Sequence, residues 1–337
     1  MKLSNLVAVL FATAAVAAPI FQGPYANETA YSPLQYLTGV KPLPQENSTD
    51  LGEVTSNILD HITHSASLMS LVDCAEKGIV DGGKEIFHVL EGDVNGLFMK
   101  DPASKALWAI FGDNTATTQS TPNLVQYIPK LVADGLNKID FKCPGCMVQE
   151  SEMLAFDVVN KDLPIFLREV AINPDYNIYI AGKAAGAGIA ALTGNEVSLA
   201  NNVVSLITFG GTKFANIALA EYMNNHYGKN ITEDLNSYSN NTYLRVTTEA
   251  DPTPLYPILS SGFAHAGQNV HLEDVANATK AIFTGEWSPT SDGILIKNLV
   301  ADVKNVLKTA FSLPTAFIPN IQQFAGNLLC PVSTYQS

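Results

Sequence analysis

The residues best suited to chemistry form a glycine-rich turn, G-K-A-A-G-A-G, at positions 182–188. An apolar stretch at 177–181 predicts a short strand before the turn, and a helix is predicted to begin at 189–192. A strand, a G-x-S-x-G turn and a helix, in this order, form a nucleophile elbow, whose glycines allow a sharp turn that lifts a serine above the sheet. Both framing glycines are present here, but Ala184 stands at the serine position.

Four further motifs occur in order along the chain: C-P-G-C at 143–146, T-F-G at 208–210 with the later Asn216, V-T-T-E-A-D-P-T-P-L at 246–255, and G-F-A-H-A-G at 262–267. Together with the glycine-rich turn, these motifs resemble those of the fungal-type class 3 lipases, a group of triacylglycerol lipases and feruloyl esterases. The resemblance runs from about residue 68 to residue 332. It implies an α/β-hydrolase fold, with a mostly parallel central sheet and helices on both faces.

The resemblance also places the positions of a catalytic triad. Ala184 replaces the nucleophilic serine, and Asp251 stands at the position of the catalytic Asp. The catalytic His of the family follows this Asp in the chain, shortly before the last cysteine. No histidine follows His271 here, and Asn320 occupies the position of the catalytic His. The G-F-x-H-x-G run contains His265, which we expect to be structural.

The oxyanion segment is altered as well. In the family it reads F-R-G followed by Ser or Thr, whereas residues 111–114 read F-G-D-N. Asn114 and the backbone N–H of Ala185 are the remaining oxyanion-like donors. The charge of Asp113 would repel an oxyanion.

These losses predict a lipase-like pseudoenzyme that does not hydrolyse esters. Ester cleavage needs an oxygen nucleophile and a base that takes its proton. Removing either one costs roughly a millionfold in rate, because triad residues act as a unit. The alternative is an active secreted triacylglycerol lipase or carboxylesterase with an unrecognised triad, although the sequence contains no other G-x-S-x-G.

Two non-catalytic roles remain open. The first is binding of a lipid or ester ligand in the former active-site groove. The resemblance places a lid helix over residues 114–128, with Leu124, Val125 and Ile128 as its apolar face, although the same residues could belong to the core. The second role is an extracellular interaction or effector-like protein that keeps the fold as a scaffold for an unknown protein partner.

Lys183, directly before Ala184, has two interpretations. A lysine at a tight, partly buried turn needs a charge partner, and Asp251 has lost its imidazolium. Alternatively, the side chain points outward and is solvated.

The four cysteines predict two disulfides in an oxidising compartment. The C-P-G-C run can close as Cys143–Cys146, and Cys74–Cys330 would then join the two ends of the domain. The family resemblance implies the same two bonds. Half a metal site and a redox-active pair are the alternatives, but no Cys or His pair at zinc-ligand spacing and no thioredoxin-like strand supports them. No metal and no cofactor are expected.

The N-terminus predicts a secreted glycoprotein. Residues 1–17 have the apolar run and the small residues of a signal peptide, residues 18–56 resemble a poorly ordered leader, and residues 57–337 form a single domain. Five N-x-S/T sequons support glycosylation: Asn27, Asn47, Asn230, Asn240 and Asn277. The net charge of -13 argues against nucleic acid as a partner, and no later stretch predicts an integral membrane segment.

The order of elements independently predicts an α/β fold. Residues 57–71 have helical spacing, and two apolar runs at 96–99 and 106–111 predict a hairpin. Residues 150–171 predict a helix in which Pro164 marks a kink or a fresh start. Strands at 203–209 and 243–247 enclose a helix at 214–226, and such alternation is typical of a parallel sheet.

Overall fold

The structure is a computed structural model that describes residues 56–72, 78–80, 83–113, 123–129, 141, 143–200, 202–227, 242–248, 254, 263–272 and 281–285. The helices in these residues are α1 (Ser56–Val72), α2 (Glu150–Ile172), α3 (Gly186–Leu199) and α4 (Ile217–His226). The strands are β1 (Gly78–Val80), β2 (Lys84–Val89), β3 (Gly96–Asp101), β4 (Ala106–Phe111), β5 (Leu124–Gln126), β6 (Met147–Gln149), β7 (Asn177–Lys183), β8 (Val204–Phe209), β9 (Thr242–Thr248), β10 (Gln268–Leu272) and β11 (Ala281–Gly285).

Nine strands form one sheet in the order β1-β2-β3-β4-β7-β8-β9-β10-β11. Parallel pairing joins β4, β7, β8, β9 and β10 in turn. The flanking strands pair antiparallel, β1 to β4 at one side and β11 at the other. Helix α3 connects β7 to β8, because parallel neighbours need a crossover connection. The predicted, mostly parallel centre of the sheet is therefore present.

The sheet has a hydrophobic core on each face, because side chains alternate along the buried strands. In β4, Leu107 packs with the core that contains Phe156 of α2 and Ile189 of α3. The next residue, Trp108, packs on the opposite face with Ile62 of α1. Helices therefore cover both faces, as predicted.

Most predicted elements are present at nearly the predicted positions. The helix predicted at 57–71 is α1, and the predicted hairpin is β3 with β4, joined in full register from Gly96↔Phe111 to Asp101↔Ala106. Helix α2 runs through Pro164 as one element, so the alternative of a fresh start there is wrong. The exposed position of Pro164 allows this, since water can solvate the carbonyl left without a donor.

The lid helix predicted over residues 114–128 is wrong for the part that the structure describes, residues 123–128, and the rest lies outside the described residues. Leu124 and Val125 belong to strand β5, which pairs antiparallel with β6 through Leu124↔Gln149 and Val125↔Val148. The backbone pairing continues past the strand, where the Tyr127 N–H donates to the Cys146 carbonyl at 2.9 Å. These residues are therefore held extended by hydrogen bonds to β6 and do not form a lid helix.

Several predictions lie outside the described residues. These are the signal peptide, the leader as far as residue 55, and the five sequon asparagines. Among the helices that the structure describes, none combines the length and the apolar character needed to cross a membrane.

Candidate functional site

The turn between β7 and α3 has the backbone of a nucleophile elbow. Strand β7 ends at Lys183, Ala184 has a φ angle of 49°, and α3 begins at Gly186. A positive φ costs a residue with a side chain about 1–2 kcal/mol. Two hydrogen bonds hold the turn: the Ala184 N–H donates to the Phe209 carbonyl at 2.9 Å, and the Ala187 N–H donates to the Ala184 carbonyl at 3.2 Å.

The two framing glycines allow three segments of backbone to meet at the elbow. A Cβ atom on Gly182 would collide with the Gly186 carbonyl, and one on Gly186 would collide with the Gly112 carbonyl. The end of β4 is thus in direct contact with the first residue of α3. The sequence predicted this sharp turn, and its geometry is present although the side chain at its centre is a methyl group.

The elbow carries no nucleophile. Ala184 is buried among apolar residues of the α1 side of the sheet, and its methyl group has neither a lone pair nor an acidic proton. Ala185 follows in the right-handed helical conformation, with φ −65° and ψ −27°. The two other predicted triad positions, Asp251 and Asn320, lie outside the described residues.

The altered oxyanion segment lies against the elbow through Gly112. The Gly112 N–H donates to the Asn95 carbonyl at 2.8 Å, which fixes the end of β4, and Asp113 follows directly. Asp113 therefore brings a carboxylate to the segment that offers hydrogen-bond donors in an esterase. Asn114, the predicted side-chain donor, lies outside the described residues.

A buried acid, Glu152, was missed by the sequence reasoning. It lies in the first turn of α2 with 1% of its surface exposed. A Cβ atom on Gly188 would be 2.7 Å from the Glu152 carboxyl carbon, so this carboxyl occupies the space that Gly188 leaves. Burial raises the pKa of Glu152 to about 8, and the nearby Asp113 charge adds to the rise. The local sequence does not predict this burial, because a Glu in a first helical turn usually faces water.

Lys183 is buried, with 4% of its surface exposed, so the interpretation of a solvated lysine that points outward is wrong. A buried ammonium group is costly unless another group compensates its charge. Its predicted pairing with Asp251 stays a prediction, since Asp251 is outside the described residues.

His265 is placed as the sequence predicted for a structural residue. Its Nε2 atom lies 2.7 Å from the Pro254 carbonyl, which can only accept, so Nε2 carries the proton. Burial holds the pKa of His265 well below its usual value, and the charges of Arg245 and Lys213 act in the same direction. The neutral imidazole therefore fixes the backbone a few residues after Asp251.

The C-P-G-C turn and Asn216 join the start of α4 to β6. Cys143 and Cys146 form the predicted disulfide, with Cα atoms 5.5 Å apart, so these thiols are not half of a metal site. The Asn216 side chain accepts from the Met147 and Leu219 N–H groups at 2.9 and 3.0 Å and donates to the Gly145 carbonyl at 2.8 Å. The predicted Cys74–Cys330 bond lies outside the described residues.

The predicted groove residues do not share one environment. Leu124 and Val125 are half-buried in β5, whereas Ile128 is 48% exposed. Their part in a groove stays a prediction.

A Ser–His contact occurs elsewhere in the described residues. The Ser198 Oγ atom lies 2.6 Å from the His226 Nε2 atom, and burial lowers the pKa of His226. Ser198 is at the end of α3, about 18 Å along the helix from the elbow. The end of a helix presents carbonyl groups, which repel an oxyanion. In the described part of the chain, no salt bridge joins His226 to a carboxylate.

Comparisons with known proteins agree with this fold. Residues 116–261 match the family described as lipase (class 3). Over 139 residues the chain is 28% identical to a secreted mono- and diacylglycerol lipase A of Penicillium camembertii, covering 41% of each chain. It is 29% identical over 136 residues to a secreted mono- and diacylglycerol lipase 2 of Gibberella zeae, covering 39% of this chain and 33% of the relative. The match thus spans about two fifths or less of these relatives.

Solved lipases share the fold. The Lip2 lipase of Yarrowia lipolytica aligns with a TM-score of 0.60 at 16% identity, over 70% of this chain and 87% of that one. The Rhizomucor miehei lipase in its propeptide complex aligns with a TM-score of 0.57 at 18% identity, over 77% and 86% of the two chains. The chain therefore resembles class 3 lipases over residues 116–261 and has the α/β-hydrolase fold of the solved lipases.

Proposed function

We propose that the protein is a secreted, lipase-like pseudoenzyme that binds a lipid or ester ligand at its former active site and does not hydrolyse it. One observation carries the proposal: Ala184 occupies the left-handed position of an otherwise complete elbow. The backbone is shaped to present a nucleophile, but the side chain has no oxygen atom. Asn320 stands at the position where the family has its catalytic His, so the general base is replaced as well.

The ligand class follows from the relatives. Their names describe secreted lipases that act on mono- and diacylglycerols, so an acyl chain is the ligand that an inherited groove would fit. Secretion and glycosylation of this chain belong to the same proposal, on the basis of residues 1–17 and the five sequons.

The test of the proposal compares ester hydrolysis by three secreted proteins. These are the wild type, an Ala184→Ser, Asn320→His double variant, and an Ala185→Ser, Asn320→His control in which the serine is one residue out of place. Each is assayed with short-chain and long-chain p-nitrophenyl esters, and binding is measured with a fluorescent, non-hydrolysable ether analogue of monoacylglycerol.

We expect the wild type to bind the ether analogue without hydrolysing esters, and the first double variant alone to gain turnover. Turnover by the wild type at ordinary enzyme rates would overturn the pseudoenzyme proposal. Absence of ether binding by the wild type would favour the scaffold role, that of an extracellular interaction or effector-like protein.

The second candidate is an active hydrolase with an unrecognised triad, and the Ser198–His226 contact is the observation that favours it. A fluorophosphonate probe separates the two candidates, because it labels an activated serine covalently. Labelling of the wild type that disappears in a Ser198→Ala variant would support the second candidate. The pseudoenzyme proposal expects no labelling of either protein.

A further inference from the structure

Part of one face of the sheet is buried without a covering helix among the described residues. On the side of α1, Val270 and Leu272 of β10 have 0% and 3% of their surface exposed, and Leu244 and Val246 of β9 have 2% each. These four residues form the β9–β10 face. Helix α1 packs on β4, β7 and β8, and no helix that the structure describes packs on β9 or β10 to a comparable extent.

Helix α1 is too far away to cover this face. It packs most closely on β4 and β7, and β10 is three strands beyond β7 in the sheet. Neighbouring strands lie about 4.8 Å apart, so β10 is about 14 Å from β7. A helix with its side chains has a radius of only about 5–6 Å. The cover of Val270 must therefore come from a part of the chain outside the described residues.

The segment 294–311, outside the described residues, has the sequence pattern of a covering helix. It contains no proline and no glycine. Its apolar residues recur at intervals of three and four, which places them along one side of a helix: Ile296, Leu299, Val300, Val303, Val306, Leu307, Ala310 and Phe311. A helix of this length is about 27 Å long, and a seven-residue strand such as β9 is about 23 Å long. Such a helix would run along the strands once.

The segments that flank β9 and β10 in the chain fit this face less well. Residues 228–241 are mostly polar and contain two of the sequons. Residues 249–262 contain three prolines, which interrupt a helix. Residues 273–280 form too short a stretch, and it has no apolar stripe. The segment 294–311 is therefore the better match to an apolar surface that spans two strands.

The direction of the strands fixes the direction of this helix. Strand β7 ends at the elbow, and β8, β9 and β10 run parallel to it. Strand β11 is antiparallel to β10, so it ends at the opposite edge of the sheet, at Gly285. Pro289 and Gly293 then provide a turn. A helix that starts there and returns along the strands ends at the edge where the elbow lies, nine residues before Asn320.

We propose that residues 294–311 form an amphipathic helix that docks on the β9–β10 face and brings Asn320 to the elbow edge of the sheet. The apolar stripe of this helix covers Val270, and its polar side faces water. The inference goes beyond the proposed function, because it holds whether or not a ligand binds at the elbow.

The test uses the full secreted protein with one reporter thiol under each half of this side of the sheet. Val270→Cys places a thiol on β10, and Ile110→Cys places one on β4, beneath α1; both positions have 0% of their surface exposed. Labelling with N-ethylmaleimide at pH 7, read by mass spectrometry of the reporter peptide, measures how often each thiol is uncovered.

Each reporter is combined with Val303→Lys, in the middle of the apolar stripe, or with Asn305→Lys, on the opposite side of the helix. The two changes add the same group and the same charge. We expect Val303→Lys to speed the labelling of Val270→Cys at least about tenfold, and Asn305→Lys to change it less than about twofold. Ile110→Cys should stay protected in both variants, because α1 covers it.

Protection of Val270→Cys in the Val303→Lys variant would mean that another segment covers the face, and the inference would be wrong. Equal labelling rates with Val303→Lys and Asn305→Lys would contradict the assigned side of the helix. If Val303→Lys also uncovers Ile110→Cys, the whole protein has unfolded, and the milder pair Val303→Ser and Asn305→Ser decides by the same two comparisons. None of these results bears on the proposed function, since ester hydrolysis and ether binding are measured separately.

Discussion

Two carboxyl groups, Asp113 and Glu152, share the region between the end of β4 and the first turn of α3. The burial of Glu152, with the nearby Asp113 charge, has a consequence for stability, because the Glu152 proton is bound in the folded protein at a pH where the unfolded chain has released it. The folded pKa is about 8, and the ordinary value is 4.5. This protonation stabilises the fold fully below pH 4.5, and the stabilisation is lost as the pH rises towards 8.

We predict that Glu152→Gln removes this pH dependence. Between pH 4.5 and 8 the wild type should lose up to about 1.4 kcal/mol of unfolding free energy per pH unit through Glu152, and the variant should not. Urea unfolding at pH 5, 6.5 and 8 measures the difference, with Glu150→Gln as the control. Equal pH slopes in the wild type and Glu152→Gln would show that the carboxyl is ionised in the folded protein.

Ala184 and Ala185 provide a second comparison of single residues. Ala184 has a φ of 49° and Ala185 has a φ of −65°, so glycine removes backbone strain only at the first position. At both positions, glycine also adds entropy to the unfolded chain. We predict that Ala184→Gly is about 1–2 kcal/mol more stable than Ala185→Gly, as measured by urea unfolding. Equal stabilities would mean that the elbow relaxes its backbone in the wild type.

At the scale of elements, Asn216 joins α4 to the disulfide turn and to β6. Its side chain caps α4 through the Leu219 N–H and also holds Met147 and Gly145. We predict that Asn216→Ala lowers the unfolding free energy by about 2 kcal/mol, because the cap and the bonds to the disulfide turn and to β6 are lost together. Thermal unfolding measures this loss.

The control for that prediction is Asn225→Ala in the same helix, where the side chain is exposed. Because alanine has a higher helix propensity than asparagine, Asn225→Ala should not lower the stability. A loss of similar size in both variants would contradict the assignment of the loss to the hydrogen bonds of Asn216.

The sequence predicts an element well when the element is long enough to show its period. Helix α1 and strands β4, β7 and β8 were found because their apolar residues repeat over several positions. Strand β5 has three residues, too few for a period to appear, and the family resemblance alone placed a lid helix there. Strand β10 was missed because two of its buried positions, Gln268 and Asn269, are polar.

The same reasoning explains which parts of the site were predictable. The elbow was found because its glycines are required by the backbone contacts of Gly182 and Gly186. The sequence does not predict that Lys183 and Glu152 are buried, because their burial depends on neighbours that are distant in the sequence. Gly188, which lies beside Glu152, is one such neighbour. Local patterns carry no information about such neighbours.

At the scale of the whole molecule, the predicted Cys74–Cys330 bond would join two cysteines that are 256 residues apart in the sequence. We predict that peptide mapping without reduction recovers two cross-links, Cys143–Cys146 and Cys74–Cys330. Closing so long a loop restricts the unfolded chain, so a Cys74→Ser, Cys330→Ser variant should lose about 4–5 kcal/mol of stability. Recovery of free thiols at Cys74 and Cys330 would contradict the pairing. The control is a Cys143→Ser, Cys146→Ser variant, which removes a disulfide that closes only a short loop.

The elbow is specified by strand pairing and by the contacts of its glycines, so its shape does not depend on the side chain at its centre. Alanine and serine differ by one oxygen atom, and every alanine codon becomes a serine codon by one base substitution. The gene is therefore a single nucleotide away from restoring a nucleophile to a turn that is already folded to hold it. A library of single-base substitutions made in an Asn320→His background and screened for serine-directed labelling would sample that step directly.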